Sequence, residues 1–417
     1  MALLSARDDI VLLERNHIRA VLKEKSLNMA QLGIGRGVSA FGAELGVELL
    51  VVVLPKARKP REAGAVVVFD SGAGWRLVDR ALENGGAEAQ AADIVRAVQV
   101  ALRRRADATP ATSLIVLKSS NVNLTFAQFA ERDATLRRLL VRRFVDAGVR
   151  VLERNHLAHT SIDRLLGTQN EALPAANWHV YLRFERVGMH LVPQASLVLR
   201  SHAGKKRVLC TVSASREETG AAVAQMTGTL LQELGAQADS APLDPAQEAE
   251  LLLDEASYLG LAGSVAEALA AAESAAAIAP SRKLDAIVRG WRWCLCNDLV
   301  LNHRTDADAM GYVAEVLPEL VDAELARAHT AQRLERYWKV EGEQVRWNLV
   351  TSGPGQLSRC LNRHSGPESV AFANKDAVAS IRAECRRFAL EVLRFRLQLV
   401  LEADGEPTMY LDPLLAS

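Results

Sequence analysis

The sequence predicts an α/β N-terminal domain with a small antiparallel β unit, followed by an all-α, helical-hairpin C-terminal domain. Three observations carry that expectation. Short apolar runs alternate with amphipathic helical stretches over residues 8–153, the pattern of an α/β layer. Three strand-length runs then follow one another with turn residues between them, over 178–215. Beyond "QADSAPLDPAQ" (237–247), a linker with two prolines, the chain reads helical to about 402. The expected boundaries are 1–170 for the α/β domain, 171–238 for the β unit with its closing helix, and 239–417 for the helical domain. A chain of 417 residues accommodates this, at roughly 100–200 residues per domain.

In chain order, residues 8–25 place Leu12, Leu13, Ile18, Val21 and Leu22 at helical spacing. "VELLVVVL" (47–54) is a continuous apolar run suited to a strand buried on both faces. "KARKPREAG" (56–64) reads as a basic loop, "AVVVFD" (65–70) as a second strand and "SGAG" as a turn. A helix is expected over about 88–105 and a strand at "SLIVLK" (113–118). A second helix covers about 125–146, and "VRVLE" (149–153) is a fourth strand. Strands alternating with helices predict a substantially parallel sheet. The runs at 178–187, 195–201 and 206–215 predict an antiparallel meander, closed by a helix at 217–236.

Fifty basic and fifty acidic residues cancel, so no whole-protein field steers the chain toward nucleic acid or anionic lipid, and any basic face is local. The five cysteines show no paired framework, and the Cys294-x-Cys296 pair lacks a second pair at zinc-site spacing. Free thiols and a cytoplasmic location are the expectation. Two aspartates interrupt the N-terminal "MALLSARDDIVLLERNH" before a signal-peptide apolar region forms. No apolar run approaches the ~20 residues that span a bilayer, so no membrane association is expected.

In the helical half, "ASYLGLAGSVAEALAAAESAAAIAP" (256–280) puts Ala256, Gly263, Ala268, Ala275 and Pro280 at recurring small-residue and proline positions. With Glu267-Ala268-Leu269, this segment at 248–280 resembles one tetratricopeptide repeat. The resemblance implies a helical hairpin with Gly263 at its turn and Pro280 stopping its second helix. It departs at Ala272, where the pattern has a large aromatic residue. Such repeats present surfaces to partner proteins. Trp291, Trp293, Tyr337, Trp338 and Trp347 follow it, and aromatic anchors are typical of binding hot spots; tryptophan is equally a core filler.

The glycine-rich "LNMAQLGIGRGVSAFGAELG" (27–46) supports three readings. As a nucleotide loop, Gly35-x-Gly37-x-x-Ala40 fits a variant dinucleotide fingerprint, and Gly33-x-Gly35-x-Gly37 resembles the methyltransferase glycine loop. Arg58, in the basic loop after the strand, would then meet phosphate. Against this, "LNMAQLG" is a poor strand. The segment 18–45 is also similar to the helix-turn-helix of phage-repressor-like regulators, with Asn28 as a cap and Gly37-Val38-Ser39 as the turn. That resemblance implies DNA binding, yet the helix "AFGAEL" carries no base-reading side chain. The third reading is a plain turn.

Further candidates are His156, His159 and Asp163 as a metal set, and His303, Asp306 and Asp308 as a cation loop or helix cap. The loops Asp70-Ser71-Gly72 and Ser119-Ser120-Asn121 follow strands, where α/β sheets bind ligands. The pentapeptide "LERNH" occurs at 13–17 and 152–156 without matching flanks. The expected role is a non-catalytic regulatory or scaffold protein that binds partner proteins through the helical half. A DNA-binding regulator and a nucleotide-binding enzyme or pseudo-enzyme are the alternatives. The sequence identifies no catalytic residue, metal, cofactor or small-molecule ligand.

Overall fold

The computed structural model describes Val11 and residues 45–56, 59–72, 74–82, 86–106, 113–116, 119–122, 124–153, 178–186, 193–201, 206–215, 218–236, 244–261, 263–303, 305–328, 357 and 374–402. The chain divides into two compact units, Met1–Val288 and Arg289–Ser417.

The first unit is built on one nine-stranded mixed sheet. Strands β1 (Leu49–Lys56), β2 (Lys59–Asp70) and β3 (Arg76–Ala81) form an antiparallel meander. Next come β6 (Arg150–Glu153), β4 (Ser113–Val116) and β7 (Trp178–Arg186), parallel to one another. β8 (Pro193–Ser201) and β9 (Lys206–Ser213) extend β7 as a second antiparallel meander, and the short β5 (Ser120–Val122) pairs with β7. The sheet is therefore mixed, with its parallel pairs at the centre, where the expectation was a substantially parallel one. The meander at 178–213 belongs to the same sheet, because β7 pairs with β4. The segment expected as a basic loop is mostly hairpin: β1 runs to Lys56 and β2 starts at Lys59. Register shifts beside Pro55 accommodate its missing N–H.

Successive residues of β2 are buried in two different cores. Val66 and Val68 join Trp75, Leu77 and Leu152 beneath Ala97 and Ala101 of helix α1 (Ala87–Ala106). Ala65, Val67 and Phe69 join Val52 and Leu54 on the other face, where Tyr258 packs against them. This is why "AVVVF" is apolar without alternation. Burying each such side chain is worth roughly 1.5–3 kcal/mol.

Helix α2 (Phe126–Asp146) packs on β3, β6 and β7, and α3 (Thr219–Leu234) packs on β9 and on α2. Gly235 ends α3 in the left-handed region at φ 63°, and its N–H and that of Ala236 bond back to carbonyls of the last turn. Helices α4 (Pro245–Leu261) and α5 (Val265–Ile278) form an antiparallel hairpin that turns at Gly263, φ +81°. α4 packs on β1 and α5 on α2. Residues Ala268–Ala277 of α5 are all buried, so alanine is what allows the close approach. Ala272 is fully enclosed, which accounts for the absent aromatic residue.

Helix α6 (Arg282–Asn302) starts in the first unit and continues into the second. The second unit adds α7 (Ala307–Ala328) and α8 (Lys375–Glu402), packed on each other. α7 buries Val313, Leu317, Leu320 and Val321, α8 buries Ile381 and Phe388, and Arg387 pairs with Asp322 at 2.7 Å. Among the described residues, no helix is long and apolar enough to cross a membrane.

Candidate functional site

Of the residues singled out from sequence, Gly35, Gly37, Arg58, Tyr337 and Trp338 lie outside the described residues, as do Trp347, His156, His159 and Asp163. Both glycine-loop readings and the metal set fall there too. Trp291 and Trp293 lie on α6, in the second unit. At 100° per residue, Gly290, Cys294 and Leu301 share one helix face, and all are exposed. Trp291 and Trp293 flank that face on its two sides, each half-buried. Leu295 and Cys296 on the opposite side are buried, as is Val300 next to the direction of Trp293. Arg292 reaches Glu319 of α7 at 3.4 Å. Partial desolvation among its helix neighbours raises the Cys294 thiol above its usual range.

The strand-end loops are occupied by their own contacts. The Asp70 carboxylate accepts the Gly72 N–H at 2.9 Å and Arg105 Nε at 3.0 Å. Ser71 is buried and donates to the Val47 carbonyl. Burial alone would lower the Arg105 pKa, but Glu48 and Asp70 together raise it. Ser119 donates to Asp133 of α2, and Asn121 closes a local turn through the Leu124 N–H and carbonyl. Asp306 accepts the N–H groups of Asp308 and Ala309 at 2.9 and 3.2 Å. That makes it the cap of α7.

A charged seam that the sequence reading missed lies between α2, β3 and the α4–α5 hairpin. Arg143 pairs with the fully buried Glu248 at 2.5 Å, and Arg138 with Glu255 at 2.5 Å. Arg138 also donates to the Glu267 carbonyl at 3.3 Å, and Thr135 to Glu273 at 3.4 Å. Arg142, only 4% exposed, has no hydrogen-bond partner for Nε or one Nη among the described residues. Burial works against its charge, yet Asp79, Asp146, Glu255 and Glu248 together raise its pKa. Asp79 in turn pairs with Arg76 at 3.1 Å. Burial pushes the Asp146 carboxyl up to about 6, with Arg142 and Arg143 pulling it down and Asp79 and Glu248 pushing it further up. The seam holds charge in a low-dielectric layer and ties the hairpin to the sheet. Its signal in the sequence was the paired arginines of "LRRLLVRRF", set among apolar residues of one helix.

No family model matches the chain, and no curated protein or solved structure shows a significant match to it.

Proposed function

We propose that the chain is a non-catalytic regulatory or scaffold protein that binds a partner protein through its later helices. One observation carries the reading: α6 exposes Gly290, Cys294 and Leu301 on a single face between two half-buried tryptophans. Small residues let a partner helix approach closely, and flanking aromatic rings supply large contact area. The repeat-like hairpin is a poorer candidate surface, because its second helix is buried from Ala268 to Ala277.

The test uses the full chain with Gly290→Lys and Leu301→Glu together. A Cβ at Gly290 meets nothing within 4 Å, so the first change leaves the fold alone and favours the helix. Quantitative affinity purification from the native cell should lose its specific partners in the variant, with unchanged circular dichroism. An identical set of partners at identical yield would refute the reading.

A further inference from the structure

We draw no further inference here: the strongest candidate, the buried charge cluster around Arg142 between α2 and the α4–α5 hairpin, belongs to the seam already described, where its carboxylate neighbours account for its charge.

Discussion

Asp146 offers the sharpest test of the buried seam. Its carboxyl is raised from 3.8 to about 6, chiefly by burial. At 1.36 kcal/mol per pH unit this corresponds to about 3 kcal/mol of stability. Between about pH 4 and 6 the folded chain holds a proton that the unfolded chain has released, so this group's contribution falls as pH rises through that window. Above about pH 7 the full penalty of a buried carboxylate remains. Asp146→Asn mimics the protonated form at every pH. It leaves Arg142 facing Asp79, Glu248 and Glu255. The variant should match the parent at pH 4 and exceed it by up to about 3 kcal/mol at pH 8. Urea unfolding followed by hydrogen exchange of α2 amides, at half-unit pH steps, measures the difference while other titrations cancel. A flat difference across pH 4–8, or a variant less stable than the parent at pH 8, would refute the reasoning.

Two further outcomes follow from the same packing. Glu248→Gln should destabilise the first unit by up to about 3 kcal/mol, because it leaves the half-buried Arg143 without its charged partner; replacing both, as Glu248→Leu with Arg143→Met, should restore most of that in urea titrations. Asp306→Ala should lower the stability of the second unit by about 1 kcal/mol through loss of the α7 cap, read as a lower thermal midpoint.

Much of the fold was legible where burial alone sets the pattern. "SLIVLK", "VRVLE" and the two helices between 87 and 146 stand close to where periodicity puts them. What failed to show were features decided by distant pairing. β3, "RLVDRA", looks polar by itself, but β2 and β6 pair with it on its two sides and make it a strand. The basic run at 56–64 with its proline suggested a loop, while the register shifts at Pro55 keep the hairpin intact. The partners of the α2 arginines lie 105 and 117 residues away, beyond any window in which charge patterning is read. Of the proposed site, the tryptophans of α6 were visible. The face between them was not, because only the packing of α6 decides which side stays open.

The seam also bears on what the repeat-like hairpin does. A hairpin built to present a surface would keep polar groups on its outer helix. Here α5 is rich in alanine and buried from Ala268 to Ala277, and α4 sends Glu248 and Glu255 inward to arginines of α2. Buried ion pairs are weak sources of net stability, since desolvation offsets most of their attraction. Their value is geometric: a hairpin docked one turn out of place would leave Arg138, Arg142 and Arg143 uncompensated in a low-dielectric layer. The apolar alanine face alone could slide; the charges fix one register. On that argument α4 and α5 close this part of the sheet as a fixed wall, and their inward charges serve its placement rather than a surface for partners.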